Sequence, residues 1–362
     1  MINPEGDHPF NAIEQRVEPA PNFAVLTPFE FLADFRMEAR KAKHRVWGQA
    51  LDMQTGHPGG AFFHIFEEAT KRGLDARLNI DWFSRLVSEP GINSTITIKS
   101  AIGKGKYHRF FKDHNQKTYR RLARAGVKVS FLNPPDVLQR VFPFFGRNHI
   151  KIYIIDNIAY LGGINIDDSS FKSVDFVVKI SDPEIVETLT EQFVSENQEK
   201  EDQQIDLENG TVFVDGGKAG QSIILDAAIY MIDIAKKGVR NISSFTPDGP
   251  FLNALRKAHE RGVNVEVLKP TGTRGVYALL DFKNKLFMTV NRKRVPFTLT
   301  EEPVHAKLLI VDDEAVLFGS HNLMQSGVNA GTREIALFST NPQLVQNLVS
   351  FYTKIRSQAV KR

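Results

Sequence analysis

Apolar and polar positions along this chain follow two periodicities, one typical of helices and one typical of strands. In the first half, the amphipathic stretch PFEFLADFRMEARKAK precedes the apolar run HRVWGQALDM, and AFFHIFEEATKRG precedes LDARLNIDW. The second half shows the same order, with SIILDAAIYMIDIAKKG before VRNISSFT and FLNALRKAHERG before VNVEVLKP. Helices that alternate with strands in this way predict an α/β fold, in which helices cover both faces of a largely parallel or mixed sheet.

The two halves of the chain repeat one another. The segments EEATKRGLDARLNI and RKAHERGVNVEVLK occupy the same place in each half, and in both a glycine ends an amphipathic helix directly before a strand. This repeat predicts two similar α/β lobes, each a mixed sheet flanked by helices. We place the first lobe at 22–200 and the second at 221–362, after an N-terminal extension at 1–21. The acidic and then glycine-rich stretch at 201–220 is expected to be a linker.

Composition limits the class of protein. The chain has 362 residues, of which 42% are hydrophobic and 24% charged, as is ordinary for a soluble globular protein larger than one typical domain. It contains no apolar run of roughly 18 residues, and its N-terminus lacks the pattern of a signal peptide. We therefore expect a cytoplasmic protein, with any contact to the inner membrane face being peripheral. The absence of cysteine excludes disulfides, thiolate metal sites and a cysteine nucleophile.

Charge is unevenly placed along the chain, although the net charge is only +4. The segment 99–128 holds ten lysines or arginines and one acid, whereas 182–208 holds ten acids and one lysine. The acidic run is expected to be a solvated helix face. For the basic run, a solvated helix face and a docking surface for a polyanion are equally compatible with the sequence.

Two short segments share one spacing of histidine, lysine and aspartate, each followed by a glycine-containing turn and an asparagine. NHIKIYIIDNIAYLGGIN contains His149, Lys151, Asp156, Gly163 and Asn165. VHAKLLIVDDEAVLFGSHN contains His305, Lys307, Asp312, Gly319, Ser320 and Asn322. Side chains alternate between the faces of an extended chain, so each histidine lies on the same side as its lysine, about 7 Å away. Donors at that spacing favour an anionic ligand.

Both segments resemble the signature of the phospholipase D superfamily, H-x-K-x4-D-x6-G-[SG]-x-N. The second segment fits this signature position by position. In the first, the turn at 162–165 comes one residue early, which we interpret as a shortened hairpin like the GGxN turn of bacterial cardiolipin synthase-like members, with Gly163 matched to Gly319. The resemblance extends over about residues 22–350. It implies two lobes packed about a pseudo-twofold axis, with both motifs meeting at one active site.

The resemblance also implies a reaction. Members cleave a phosphodiester through a covalent phosphohistidine, without a metal or other cofactor. The anionic phosphate needs positive donors around it, which the two motif lysines and the two motif asparagines can supply, with Ser320 and Gly163 as further substrate contacts. We expect His149 to be the nucleophile and His305 the general acid. The reverse assignment stays open, because the two motifs carry the same residue types.

Further residues are expected to support the histidines. A catalytic histidine needs an acceptor for its second ring nitrogen. Asp175 and Glu334 stand where family members carry such an acid, and we expect each to orient the histidine of its own motif. The resemblance implies that Asp156 and Asp312 brace the fold. His321, inside the second turn, is expected to face solvent and not the substrate.

The substrate class is the least determined property. A phospholipid is favoured by the similarity to cardiolipin synthase-like members, and by the segment 281–297, where apolar residues interleave with lysines and arginines in a way suited to an anionic membrane interface. A nuclease is the alternative, because the basic run contains the aromatic residues Tyr107, Phe110, Phe111 and Tyr119, which could stack on bases. A lipid- or polyanion-binding protein without turnover is the third alternative. Since one chain carries both motifs, we expect a monomer.

Overall fold

The computed structural model describes residues 23–85, 105–134, 145–195, 201–271 and 295–359, with 105–114 described as backbone only. Over these ranges the chain forms two mixed sheets flanked by helices. The predicted α/β class and the predicted pair of similar lobes are therefore confirmed. The N-terminal extension at 1–21, most of the basic-apolar segment at 281–297 and the side chains of Tyr107, Phe110 and Phe111 lie outside what is described.

The described part of the first lobe contains a seven-stranded sheet in the order β1-β7-β6-β5-β2-β3-β4. Its strands are β1 (Phe23–Leu26), β2 (Arg45–Ala50), β3 (Asp75–Asp81), β4 (Lys128–Leu132), β5 (Ile152–Ile155), β6 (Ile158–Gly162) and β7 (Val177–Ile180). Its helices are α1 (Pro28–Lys41), α2 (His57–Lys71), α3 (Gly105–Arg124), α4 (Asp168–Phe171) and α5 (Pro183–Ser195). Strands β2, β3 and β4 run parallel, and the other pairings are antiparallel.

The described part of the second lobe contains an eight-stranded sheet in the order β12-β11-β10-β13-β14-β15-β9-β8. Its strands are β8 (Gln203–Leu207), β9 (Gly210–Asp215), β10 (Gly238–Ile242), β11 (Asn264–Pro270), β12 (Phe297–Thr300), β13 (Leu308–Val311), β14 (Ala315–Gly319) and β15 (Glu334–Ser339). Its helices are α6 (Ile223–Ile234), α7 (Gly249–Glu260), α8 (Gln325–Asn329) and α9 (Pro342–Ser357). Strands β10, β11 and β12 run parallel.

The duplication is visible in the strand order. The series β4-β3-β2-β5-β6-β7-β1 of the first sheet corresponds to β12-β11-β10-β13-β14-β15-β9 of the second, and β8 is an addition at the edge. In both lobes the helix before the second parallel strand is followed by a glycine with positive φ, Gly73 at 78° and Gly262 at 89°. Glycine adopts this conformation without steric cost, so the predicted helix ends are confirmed.

The predicted linker at 201–220 is wrong for most of its length. Residues 203–215 form the hairpin of β8 and β9, and β9 pairs with β15 inside the second sheet. The acidic and glycine-rich composition concealed a hairpin signal, because Asn209-Gly210 joins an alternating run, QQIDLE, to an apolar run, TVFV. The second lobe therefore begins about twenty residues earlier than predicted.

Three apolar clusters form the core of the described part of the chain. The central one is shared, because it joins residues of β5 and β6 to residues of β13 and β14 and includes the inner faces of α5 and α9. A second cluster packs α6 and α7 on the outer face of the second sheet, and a third packs α1, α2 and α3 on the outer face of the first. The shared cluster fixes the two sheets against each other, and with them the strands that precede and follow the motifs.

The described half of the basic run is an amphipathic helix face. In α3, Tyr119 is buried and its hydroxyl donates to the carbonyl of Met53, so it is not available to stack on a base. Arg121 is exposed and pairs with Glu67 at 2.9 Å. Within the described ranges, no helix combines the length and apolar character that crossing a membrane requires.

Candidate active site

The two motif histidines lie where the lobes meet. His149 stands just before β5 and His305 just before β13. The backbone N–H of His149 donates to the carbonyl of Arg333 at 2.9 Å, and that of His305 donates to the carbonyl of Val174, also at 2.9 Å. Each motif is thus joined by its backbone to the opposite lobe, directly beside the acid that follows the other motif's asparagine turn.

The histidine rings bind the carboxylates of the opposite lobe. His149 Nδ1 lies 2.8 Å and 3.0 Å from the two carboxylate oxygens of Glu334, and His305 Nδ1 lies 2.6 Å from Asp175 Oδ2. The prediction that each acid orients the histidine of its own motif is therefore wrong. Spacing along the chain identified the acids correctly, but the pairing follows from how the lobes pack. Because a carboxylate accepts, each Nδ1 carries the proton and each Nε2 faces away from its carboxylate.

The two carboxylates are supported differently. Glu334 also accepts a hydrogen bond from the hydroxyl of Ser320, whose Oγ in turn accepts the backbone N–H of Ile335 at 3.0 Å. Asp175 Oδ1 accepts the backbone N–H of Phe176 at 2.9 Å. Ser320 is fully buried and engaged by these partners, so its predicted role as a substrate contact is replaced by support of Glu334.

The glycines of the first turn occupy positions that differ from the prediction. Gly162 pairs with Val177 as Gly319 pairs with Ala336, so Gly162 and not Gly163 corresponds to Gly319. The hairpin before it is one residue shorter, as predicted. Gly163 stands in the place of Ser320, and a Cβ there would lie 2.6 Å from Asp175 Oδ1. Its lack of a side chain makes room for that carboxylate and is not evidence of a substrate contact.

Both motif lysines are buried at the same site. Lys151 Nζ donates to the carbonyl of His149 at 2.8 Å, and Lys307 Nζ donates in the same way to the carbonyl of His305. Burial lowers the pKa of Lys151 to about 7 and that of Lys307 to about 8, while Glu334 and Asp175 oppose this effect at both lysines. Each lysine therefore interacts electrostatically with both carboxylates, as expected of groups that lie at one site. Each keeps two further N–H donors for a ligand.

Both histidines are neutral and Glu334 is ionised near neutral pH. Burial lowers the pKa of His149 to about 4, against the attraction of Glu334. Burial also lowers the pKa of His305. The pKa of Glu334 lies at about 2, because His149 and its other neighbours outweigh the effect of burial. An Nε2 lone pair is thus available on each ring.

The motif asparagines contribute unsatisfied polar atoms. Asn165 is buried and Asn322 is half-buried, and the side-chain oxygen of each is enclosed without a hydrogen-bond partner. An enclosed polar atom without a partner costs roughly 1–3 kcal/mol. The same acceptor atom is open at the corresponding position of both motifs, whereas the N–H groups of these amides are the donors that an anionic ligand would use.

The motif aspartates are bound to backbone and not to the site. Asp156 accepts the N–H groups of residues 43, 44 and 45 at 2.7, 3.0 and 2.9 Å. Asp312 accepts those of residues 236, 237 and 238 at 2.9, 2.7 and 2.8 Å. Each aspartate thereby ties the end of the first helix of its lobe to the motif hairpin. These contacts fit the bracing role expected from the sequence.

Two residues near the site differ from the sequence prediction: one is buried where exposure was expected, and the other was not predicted at all. His321 is buried, with a pKa lowered by burial, and its Nδ1 accepts the N–H of Leu323 at 2.8 Å, so the expected solvent-facing position is wrong. Asp215, concealed in the presumed linker, is buried directly opposite Glu334 on the neighbouring strand. A search for strands in 203–215 would have found it. In the described ranges, no three His, Cys, Asp or Glu side chains cluster in a way that could hold a metal ion.

Similar proteins are known. Cardiolipin synthase 1 of Staphylococcus epidermidis is 26% identical over 55% of this chain and 45% of its own length. Cardiolipin synthase B of Escherichia coli K12 is 26% identical over 56% of this chain and 54% of its own length. The chain therefore spans about half the length of these curated relatives.

Solved structures share the fold. The crystal structure of phosphatidylserine synthase from Haemophilus influenzae Rd KW20 superposes with a TM-score of 0.69 over 93% of this chain and 86% of that one, at 15% identity. Polyphosphate kinase from Porphyromonas gingivalis superposes with a TM-score of 0.58 over 96% of this chain and 55% of that one, at 11% identity. At such identities the likeness concerns the fold.

A family model described as cardiolipin synthase, PLD-like domain, matches residues 37–196 and 228–355, one segment in each lobe. Each segment contains one complete motif and the acid that follows it. The two segments together make up well over half of the chain, and the protein belongs to this phospholipase D-like family.

Proposed function

We propose that the protein is a phosphatidyltransferase or phospholipase D that acts on phospholipids through a covalent phosphohistidine, without a metal. The observation that carries this proposal is the pair of histidine–carboxylate dyads, each built across the two lobes, beside two buried lysines. A phosphate diester resists nucleophiles because it is anionic, and buried ammonium groups lower that resistance. The lysines and the asparagine amides would hold the two non-bridging phosphate oxygens.

In the first step, the Nε2 lone pair of His149 attacks phosphorus, and a bond from phosphorus to Nε2 forms. The bond from phosphorus to the head-group oxygen breaks, and that oxygen takes the Nε2 proton of His305. His305 must be charged to give this proton. The bound phosphate and Asp175 favour the charged form of the ring.

In the second step, an alcohol or water enters the place of the departed head group. His305, now neutral, takes its proton while its oxygen attacks phosphorus, and the bond to His149 Nε2 breaks. His305 then carries the proton for the next cycle. An alcohol acceptor makes the reaction a phosphatidyl transfer, and water makes it a hydrolysis.

His149 is the better candidate for the nucleophile. A phosphorylated imidazole that keeps its Nδ1 proton is a cation, and Glu334 faces that proton with both oxygens. The His149 side chain is 11% exposed, whereas that of His305 is 26% exposed. Greater exposure suits the residue that must exchange a proton with each incoming acceptor.

A phospholipid is the favoured substrate because the similar curated proteins are named cardiolipin synthases, and because the phosphatidylserine synthase superposes with the higher TM-score of the two structures described above. Both motifs reside in one chain, so a monomer suffices for activity. We infer a cytoplasmic protein that contacts an anionic membrane peripherally, where its substrate resides.

The test is incubation of the purified protein, in EDTA, with phosphatidylglycerol vesicles and separately with single- and double-stranded DNA. Lipid turnover with intact DNA is expected. Cleavage of DNA alone would establish the nuclease alternative in place of this function. Tight vesicle binding without turnover of either substrate would identify a binding protein, and turnover that EDTA abolishes would contradict metal independence.

A further inference from the structure

The dyad of His149 and Glu334 is adjoined by two further titratable residues, Asp215 and His321. Glu334 on β15 and Asp215 on β9 are directly opposite each other in an antiparallel pair. Opposite residues of such a pair project from the same face of the sheet with Cβ atoms about 5 Å apart. Both are buried, so two carboxyl groups share one enclosed space.

His321 connects these carboxyl groups to the second asparagine turn. Its Nε2 lies 3.9 Å from Asp215 Oδ2, and its Nδ1 accepts the N–H of Leu323 at 2.8 Å. The neutral ring therefore carries its proton on Nε2, towards Asp215. Leu323 has a φ of 51°, an uncommon conformation for a leucine, so this bond also holds the turn that presents Asn322.

At the two equivalent positions, the other half-site has no titratable side chain. Continuing the register of β1 and β7 beyond Leu26 places Pro28 where Asp215 stands, and Ile164 occupies the position of His321. The turn of Asn165 is held by backbone instead, since Ile166 bonds to Asp52 and Gln54 through main-chain groups. The pair of Asp215 and His321 therefore has no counterpart at the equivalent described positions beside His305.

The partners of Asp215 decide where the proton resides. Its oxygens accept the Ser222 hydroxyl at 2.6 Å and the N–H of Ile224 at 3.3 Å, both neutral donors. The titratable groups around it are the carboxyls of Glu334 and Asp202 and the ring of His321. Glu334, in contrast, faces the Nδ1 proton of His149 and the Ser320 hydroxyl. Burial raises the pKa of Asp215 to about 8, assisted by Glu334 and Asp202.

We propose that Asp215 and His321 are positioning residues that retain one proton on Asp215 next to Glu334, so that Glu334 is the single negative charge facing His149. The inference rests on the proposed phosphohistidine function. With Asp215 protonated, Glu334 stabilises the Nδ1–H of a phosphorylated His149. With Asp215 ionised, two adjacent carboxylates would favour protonation of His149 Nε2, and its lone pair would no longer be free for attack.

Infrared difference spectroscopy tests the protonation directly and needs no substrate. The wild type minus Asp215→Asn should show the carbonyl band of a protonated carboxylic acid, and this band should disappear as pH rises through about 8. Asp52→Asn is the matched control, because Asp52 is a buried carboxyl of the first lobe whose pKa burial also raises to about 8. That control should leave the Asp215 band in place. Absence of the band at pH 6 would overturn the proposal.

Turnover tests the positioning role. Asp215→Asn mimics the protonated acid and should keep kcat within about threefold of wild type at pH 6.5, whereas His321→Ala should lower kcat about tenfold or more with little change in KM. His321→Asn should recover part of that loss, because its amide oxygen can accept the N–H of Leu323. A loss of a hundredfold or more in folded Asp215→Asn would show that the ionised form is needed and contradict the proposal. If the wild type turns over neither lipid nor DNA, the proposed function fails, while the infrared result still decides where the proton resides.

Discussion

The half-site around His149 and the half-site around His305 contain the same residue types in different surroundings. His149 faces both oxygens of a glutamate that also binds Ser320 and lies opposite Asp215. His305 faces one oxygen of an aspartate against Gly163, with no hydroxyl in that position. The two lobes share the same candidate reacting groups, whereas the residues that support those groups differ. Divergent supports allow identical histidines to take different roles.

Both half-sites depend on how the two lobes pack against each other. Because each histidine takes its carboxylate from the opposite lobe, neither lobe alone contains a complete half-site. The site therefore depends on the shared apolar cluster that fixes the two sheets against each other.

Removal of either motif histidine should lower kcat more than any other substitution proposed here. His149→Ala should lower kcat at least about 10⁴-fold, and His305→Ala about 10²- to 10⁴-fold, because one forms the covalent bond and the other only transfers a proton. A substrate with a nitrophenol leaving group sharpens the distinction, since it needs no general acid. It should restore the first step in His305→Ala but not in His149→Ala.

The control for these variants is His64→Ala, since His64 lies on α2 with 57% of its side chain exposed. Its turnover should equal that of the wild type. Near-normal activity of either motif variant would contradict the paired roles.

Substitution of the carboxylates should break the two dyads separately. Glu334→Gln and Asp175→Asn should each lower kcat about 10- to 10³-fold, because a neutral amide supports the imidazolium form poorly. In proton NMR, Glu334→Gln should move the Nδ1–H signal of His149 and leave that of His305, and Asp175→Asn should do the reverse. The opposite pattern would mean that each acid serves the histidine of its own motif.

The lowered pKa values of the two motif lysines predict that activity falls at alkaline pH. Two losses of charge should lower kcat/KM as pH rises. The general acid His305 loses its proton first, at its lowered pKa, and kcat/KM should fall more steeply above about pH 7 to 8, where Lys151 and then Lys307 become neutral. The acid limb should begin near pH 4, where His149 takes up a proton. Initial rates on vesicles between pH 4 and 10 measure both limbs. A rate that keeps rising to pH 10 would show that charged lysines are not needed.

The motif aspartates should affect stability more than catalysis. Asp156→Ala and Asp312→Ala each remove three bonds to backbone N–H groups and place alanine at a φ of 45° or 56°. Each should lower the free energy of unfolding by about 2 kcal/mol, since the carboxylates are partly exposed. Asn in the same positions should cost less, because it tolerates positive φ. Urea titration measures the difference, and equal losses in Ala and Asn would contradict the backbone contribution.

The sequence predicted the fold well, and it picked out the candidate reacting groups that lie together at one site, because both depend on local patterns. Helix and strand periodicities gave two α/β lobes, and one repeated spacing located His149 and His305. The pairing of each histidine with the acid of the other lobe could not be read from spacing, since it depends on contacts between residues 185 and 130 positions apart along the chain. Asp215 was missed because acidic and glycine-rich neighbours concealed a hairpin. His321 was misplaced because its turn folds back on its own lobe, where the ring accepts the N–H of Leu323 and lies 3.9 Å from Asp215.

Identification of the covalent intermediate tests the central claim most directly. Phosphatidylglycerol vesicles would be mixed with the protein, quenched in alkali after less than one turnover, and the digested protein examined by mass spectrometry. The account predicts a phosphatidyl adduct on the peptide that contains His149, absent in His149→Ala and accumulated in His305→Ala with the nitrophenol substrate. An adduct on the His305 peptide would reverse the roles of the two half-sites, and turnover without any histidine adduct would contradict the account.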